Sequence, residues 1–373
     1  PRVPRGDGAE RLSDHDVRDL LLEEVPTMPP RAAVASGEES KATCTLLLLA
    51  AIWGLSAPGF RGLFEMDHTP GALLVAALAN AVAFGALGTR CASVGSLPSV
   101  LRDQEGMVGG IELGLWFLVG DFLSLSGIAQ TSATHAAFLG QITCLIVPSL
   151  QAMQGAPVGR NVWSACCLAL AGCLAIGSGS GTPGDASSVT GDALCLLAAF
   201  CFSGHALRLN GLASKASSEG ITFWSKATQA VGAAAALVTS ACLSSGQPSG
   251  PLDFLSAAAP AELGALMMFA LFNGVVSRGF CTLWQAEAYK VVNPSKAEVI
   301  FATVPLWSLL IAVTFLSEPL HERLALGAAL STAAFLLAAQ DSQDASREQD
   351  GNVGAGTAEW KPLPELVEVG ACR

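Results

Sequence analysis

The residues of this chain best suited to chemistry are a few polar side chains inside long apolar stretches. Asp121 lies between Gly120 and Phe122, where a carboxylate suits a substrate amine or the transfer of a proton. Arg278, in the stretch NGVVSRGF, suits a carboxylate or phosphate, because a guanidinium can donate two parallel hydrogen bonds. The alternative is structural, since the two side chains could form an ion pair or Arg278 could extend towards solvent.

Five further side chains are candidates for binding or coupling. His205 can relay protons, although a lone histidine in a helix more often serves as a hydrogen-bonding group. Trp53 and Trp284 can form apolar walls of a pocket, and Gln141 and Asn273 can supply uncharged hydrogen bonds. Ordinary helix packing explains each of these last four about equally well.

Catalytic motifs are missing from the sequence. It contains no GxSxG, no Walker A loop and no HExxH, and its carboxylates lie mostly in tails and loops. The 11 cysteines lie mostly in apolar segments and are expected to pack as small hydrophobic side chains. We therefore expect no enzyme activity, no cofactor, no metal and no nucleic-acid partner.

The elements that must position these side chains are membrane helices. Of 373 residues, 51% are hydrophobic and only 14% are charged, whereas a soluble domain has about 25% charged residues. A spanning helix needs about 20 mostly apolar residues. The sequence predicts an all-α polytopic protein with ten such stretches, at 43–60, 71–89, 110–128, 134–153, 160–177, 190–208, 221–243, 262–284, 296–316 and 323–340.

Two polar tails enclose the apolar region. Residues 1–41 hold nine acidic side chains and residues 341–373 hold seven, so much of the formal charge of −11 lies in these tails, which we expect to be solvated and disordered. Between them we predict a five-helix repeat at 42–177, a linker at 178–189 and a second five-helix repeat at 190–340.

The distribution of Lys and Arg predicts the orientation. With ten spans and the N-terminus inside, eight basic residues fall on the inner side and two, Arg61 and Arg323, on the outer side. The inner eight are Arg90, Arg102, Arg160, Arg208, Lys215, Lys226, Lys290 and Lys296. Both termini are then cytosolic or stromal, in a plasma membrane or a plastid envelope. A further set falls in the inner half and predicts an inward-facing polar vestibule: Glu112, His205, Lys226, Arg278 and Glu298.

Two halves of five spans have opposite orientations, because five is an odd number. Inverted repeats of this kind are common in secondary transporters. The tetrad LLAA at 48–51 recurs at 196–199, which is weak support for a repeat. Pro148 and Pro305 fall within predicted spans, where each removes a backbone hydrogen bond, so they are candidate hinges or static kinks.

Several segments together resemble the EamA-type family of the drug/metabolite transporter superfamily, over residues 42–340. They are TSATHAAFLGQITCLIVPSL at 131–150, AYKVVNPSKAEVIFATVPLWSLLIAVTFLSEPL at 288–320, Trp53-Gly54 in the first span and Gly191-Asp192 at the start of the sixth. Glu318 follows Pro305 by thirteen residues, as in the family. In the first half Cys144 and Pro157 replace that proline and glutamate, so the two halves differ.

This resemblance implies a secondary carrier of small organic solutes that works by alternating access in the lipid bilayer. A proton, another coupling ion or exchange would drive it, because no ATP-binding motif is present. Two alternatives stay open: a nucleotide-sugar or phosphorylated-sugar exchanger of the same superfamily, and a non-transporting scaffold on a degenerate carrier fold. The sequence leaves the substrate and the choice between monomer and dimer open.

Overall fold

The described part of the chain is helical throughout. In this computed structural model, the described residues are 36–55, 66–128, 139–156, 158–177, 189–244, 252–315 and 325–338, with the single positions 59, 63, 130 and 322, and they contain no strand. The helices are α1 Ser36–Gly54, α2 Ala72–Val94, α3 Leu97–Arg102, α4 Gln104–Ile128, α5 Thr143–Met153, α6 Arg160–Gly177, α7 Val189–Ala213, α8 Ser218–Leu243, α9 Asp253–Ala257, α10 Pro260–Ala288, α11 Pro294–Phe301, α12 Val304–Phe315 and α13 Ala325–Ala338.

The predicted fold class, an all-helical protein with apolar helices, is confirmed for these residues. Four described helices, α2, α4, α7 and α10, are long and apolar enough to cross a membrane. Each of the ten predicted stretches overlaps at least one helix. Several predictions lie outside the described residues: most of both tails, the linker apart from its last residue, Arg61, Pro157, Glu318 and Arg323.

Helix α1 begins at Ser36, earlier than the predicted span at 43–60 and inside the predicted N-terminal tail. Glu38 and Glu39 lie in its first turn, where carboxylates interact favourably with the positive end of the helix dipole. Glu39 also accepts a hydrogen bond from Lys296 Nζ at 2.8 Å. This contact connects the first turn of α1 to α11, which hydropathy does not indicate.

The main hydrophobic core joins the two predicted halves. It combines residues of α1, α4 and α5 with residues of α7, α8, α10 and α11. Helix α4 approaches α8 closely, because a Cβ atom at Gly110 would lie 2.6 Å from the Ile221 carbonyl oxygen and one at Gly114 would lie 2.8 Å from that of Ser225. Small residues allow this approach between apolar helices, and the close contact fixes one face of α8 against α4.

Two spans are irregular where they pass the core. In α10 the residues Phe272–Phe280 form a π-helical segment, which shifts the hydrogen-bond register by one residue. The predicted span 296–316 is two helices, α11 and α12, separated at Ala302 and Thr303. Pro305 is the second residue of α12, where its missing N–H would lack an intrahelical partner in any case. The prediction that Pro305 lies within a continuous helix is therefore corrected, whereas Pro148 does lie inside α5.

Candidate functional site

A cavity of about 380 Å³ lies between α1, α4, α7, α8, α10 and α11. Its volume is in the range of small-molecule sites. The polar groups on its wall include His205, Ser225, Lys226, Gln229, Asn273, Ser277, Arg278, Thr282, Gln285 and Glu298, and the aromatic groups are Trp53, Phe117, Phe202 and Phe301. The cavity thus combines charged and amide groups with an aromatic wall.

Arg278 connects three helices at one side of the cavity. Its Nη1 lies 3.3 Å from Asp121 Oδ2 on α4 and donates a 3.1 Å hydrogen bond to Asn80 Oδ1 on α2. Its Nε donates a 3.2 Å hydrogen bond to Asn273 Oδ1, one turn earlier in the π-helical segment. The ion pair between Asp121 and Arg278 that the sequence suggested as an alternative is present in the structure. These contacts use Nη1 and Nε, and Nη2 has no acceptor among the described residues.

Lys226 lies on a second wall of the cavity and is only 2% exposed. Its Nζ donates a 3.0 Å hydrogen bond to Gln229 Oε1, and Gln229 Nε2 donates to Ser225 Oγ at 3.1 Å. The ammonium also lies 5.1 Å from the centroid of the Phe117 ring, at cation–π distance. Lys226 was predicted to lie on the inner side; because α8 begins at Ser218, Lys226 is two turns inside that helix.

Trp53 and His205 complete the aromatic wall. Trp53 Nε1 donates a 3.1 Å hydrogen bond to the Ser277 carbonyl oxygen, which fixes α1 against the π-helical segment, and its ring centroid is 4.9 Å from that of Phe301. The His205 ring packs edge-on against Phe117 with centroids 5.5 Å apart. Both residues therefore present ring surface to the cavity.

Glu298 enters the cavity wall from α11. Its Oε1 accepts a 3.4 Å hydrogen bond from the hydroxyl of Tyr289, a fully buried side chain that connects this end of the cavity to the core. Among the described residues no basic group lies within 4.0 Å of the Glu298 carboxylate. Glu298 is therefore an acceptor on the wall rather than a partner of Lys226.

The structure separates the other predicted residues from this cavity. Trp284 is 42% exposed and packs against Phe280, and Gln141 does not line the cavity. Glu112, predicted to face the polar vestibule, instead pairs with Arg208 through hydrogen bonds of 2.6 and 2.7 Å outside the cavity. Asp121 reaches the site through its contact with Arg278.

Lys226 was included in the predicted polar vestibule, but several other wall residues were not predicted, although one signal was available. Thr222, Ser225, Lys226 and Gln229 recur on α8 at positions i, i+3, i+4 and i+7, which places them on one helix face. Such a polar face inside a predicted span indicates a cavity or a partner helix. Ser277, Thr282 and Gln285 on α10 had no equally clear pattern, because the π-helical segment shifts the faces of that helix.

Comparisons with known proteins agree with this architecture. Residues 189–340 match the model of the EamA-like transporter family. No curated protein matches the sequence. A solved crystal structure shares the fold with a TM-score of 0.65 and 18% sequence identity, over 82% of this chain and 99% of that one. The resemblance to the EamA-type family is thus confirmed for residues 189–340, and this match together with the long apolar helices indicates an integral membrane protein.

Proposed function

We propose that the protein is a secondary carrier that moves a small organic solute across a membrane by alternating access around the cavity. The observation that carries this proposal is the position of the cavity. Trp53 and Phe117 from the first predicted repeat face Lys226, Arg278 and Glu298 from the second. A solute held between two repeats can be released to either side when one repeat moves against the other.

The proposed architecture is ten transmembrane helices in two inverted five-helix repeats, at residues 42–177 and 190–340. The match of the family to 189–340 and the shared fold over 82% of the chain support it. The arrangement of Lys and Arg supports termini on the cytosolic or stromal side, in a plasma membrane or a plastid envelope. A proton, another ion or a second solute drives transport.

The site consists of the four predicted residues that line the cavity, Trp53, His205, Asn273 and Arg278, with Asp121 behind Arg278. Lys226, Gln229 and Glu298 extend this site on the α8 and α11 walls. Gln141 and Trp284 have no place in it. A solute in the cavity would contact aromatic rings on one side and hydrogen-bonding groups on the other.

The test is solute flux by the purified full chain in proteoliposomes. A thermal-stabilisation screen with amino acids, purines, sugars and organic acids selects the solutes, and uptake of each hit is then measured with and without ion gradients. We expect at least one hit to be transported. Stabilisation without any transport, in either direction and under every gradient, would instead support the non-transporting scaffold.

Two tryptophans provide a matched pair of variants for that assay. Trp53→Ala removes an aromatic wall of the cavity and is expected to lower uptake by about tenfold, since burial of an aromatic ring is worth roughly 1.5–3 kcal/mol. Trp284→Ala removes a ring that is 42% exposed outside the cavity, so uptake should stay within about twofold of wild type. Equal losses in the two variants would show that the cavity is not the transport site. Size-exclusion profiles check that both variants are folded.

A further inference from the structure

The charge on the cavity wall carries information about the solute, because Lys226 and Arg278 are neutralised to different degrees. Arg278 has a carboxylate partner, Asp121, at 3.3 Å, and two amide oxygens as further acceptors. Lys226 has no carboxylate within 4.0 Å among the described residues. The hydrogen-bond acceptor of its ammonium there is a neutral amide, that of Gln229.

A buried ammonium is unfavourable unless it is paired and its donors are used. Lysine has three N–H donors, and the described residues accept one of them. The ring of Phe117 gives partial stabilisation from one side. The Glu298 carboxylate on the cavity wall lies beyond 4.0 Å from the ammonium and accepts a hydrogen bond from Tyr289. The remaining donors of Lys226 are therefore available to an acceptor inside the cavity, and an anionic acceptor would also compensate its charge.

The surroundings of Lys226 also restrict the rest of the solute. Phe117 lies directly beside the ammonium, and Trp53, Phe202 and Phe301 line the same cavity. Aromatic walls of this kind favour a flat apolar body, through offset or edge-to-face ring contacts. A solute with a single anionic group at one end would place that group at Lys226, with its apolar body against the rings.

We infer that the solute of this cavity is a small organic carboxylate with an aromatic or similarly flat apolar body, whose carboxylate binds Lys226. This inference rests on the proposed carrier function, because it names the solute class of the same cavity. Lys226 is the selectivity residue, since its ammonium has no carboxylate within 4.0 Å among the described residues. Arg278 is held by Asp121, Asn80 and Asn273 and contributes its remaining Nη2 donors.

The test compares three probes of one shape and different charge: 3-phenylpropionate, 3-phenylpropanamide and 3-phenylpropylamine. Their dissociation constants are measured by titration calorimetry on the purified full chain in detergent, with the thermal shift as a second readout. We expect the carboxylate to bind about tenfold tighter than the amide and the amine to bind weakest, because a hydrogen bond to a charged group is worth about 1.5–3 kcal/mol. Phenylpropyl phosphate, as a fourth probe, distinguishes a carboxylate site from a phosphate site.

Variants connect the preference to Lys226. Lys226→Met should lower carboxylate affinity to that of the amide and leave the amide within about twofold. Lys226→Gln is measured as well, because it keeps a hydrogen bond to Gln229 if the methionine variant does not fold. Lys215→Met removes an exposed lysine of the same chain and should leave all affinities unchanged.

Three results would overturn the inference. In the first, the wild type binds the carboxylate and the amide equally, or binds neither. In the second, the preference for the carboxylate persists in both Lys226 variants. In the third, the phosphate binds more tightly than the carboxylate. These failures are separate from failure of the carrier, because binding is measured without flux. Transport of neutral or cationic solutes without an anion preference leaves the carrier intact and removes only this inference.

Discussion

Two lysines are buried in the described part of the protein, and their surroundings are opposite. Lys296, 8% exposed on α11, has its Nζ 2.8 Å from Glu39 Oε1 on α1, so its charge is compensated within the protein. Lys226, 2% exposed on α8, faces the cavity, and its ammonium contacts the Gln229 amide and lies near the Phe117 ring. A buried lysine thus connects two helices in one region, whereas in the other region its ammonium has no carboxylate partner among the described residues. Burial alone does not distinguish structure from function; the partner does.

The largest expected effect comes from removing the partner of Lys296. Glu39→Ala leaves a buried ammonium without its carboxylate and should lower the free energy of unfolding by about 2 kcal/mol. This is below the 3–5 kcal/mol of a fully buried pair, because 29% of the Glu39 side chain is exposed. Lys226→Met removes a charge that has no carboxylate partner, so its stability should be equal to or above that of wild type. Thermal unfolding of both variants in detergent measures the difference.

A second substitution controls this comparison. The double variant Glu39→Ala/Lys296→Met removes both charges and should recover most of the stability that Glu39→Ala loses, as expected for a coupled pair. If Lys226→Met is destabilised as much as Glu39→Ala, Lys226 has a structural role like that of Lys296, and the contrast between the two regions fails.

A smaller loss of stability is expected on substitution of Asp103, a carboxylate outside the apolar helices. It follows α3 and accepts hydrogen bonds from Gly106 N at 2.8 Å and from Ser217 Oγ at 2.6 Å, which connects the start of α4 to the start of α8. Burial raises the pKa of Asp103, but these hydrogen bonds together hold its pKa below the usual value. Asp103→Asn should lower stability by about 1 kcal/mol at pH 7.

The pH dependence of that effect has a definite sign. A carboxyl group with a lowered pKa in the folded state stabilises the fold above its unfolded pKa of 3.8, and this stabilisation disappears as the pH falls through the lower folded pKa. The difference between wild type and Asp103→Asn should therefore be larger at pH 7 than at pH 3. A difference that is the same at both values would assign the effect to packing instead of charge.

The smallest expected effect concerns Pro305, at the start of α12 just after the helix that carries Lys296. The Lys296–Glu39 pair holds α11 to α1. Pro305 prevents α11 and α12 from forming one helix, so we expect movement between the repeats to occur at the break around Thr303. Pro305→Ala should slow uptake by about twofold to fivefold without loss of folded protein. Pro148→Ala, inside α5, is the comparison variant. Normal turnover in Pro305→Ala would exclude the hinge.

The sequence indicated more of the architecture than of the site. Hydropathy located stretches that overlap the helices, because a backbone in lipid must satisfy its hydrogen bonds locally and apolar length is a local property. It failed where tertiary contacts act on local structure: α1 extends to Ser36 towards Lys296, and the span containing Pro305 is broken. Trp53 and Trp284 looked equivalent in the sequence, and only one of them lines the cavity.

By itself, the sequence indicated an apolar, all-helical membrane protein with few charges in its helices and a resemblance to the EamA-type family. The tertiary structure decided which of those charges meet. Asp121 and Arg278 are 157 residues apart, and their contact depends on how α4 and α10 are rotated, including the register shift of the π-helical segment. The polar face of α8 is visible in the sequence, but only the close packing of α4 through Gly110 and Gly114 turns Lys226 towards a cavity. Helix rotation depends on side chains of distant segments, and local periodicity carries no information about them.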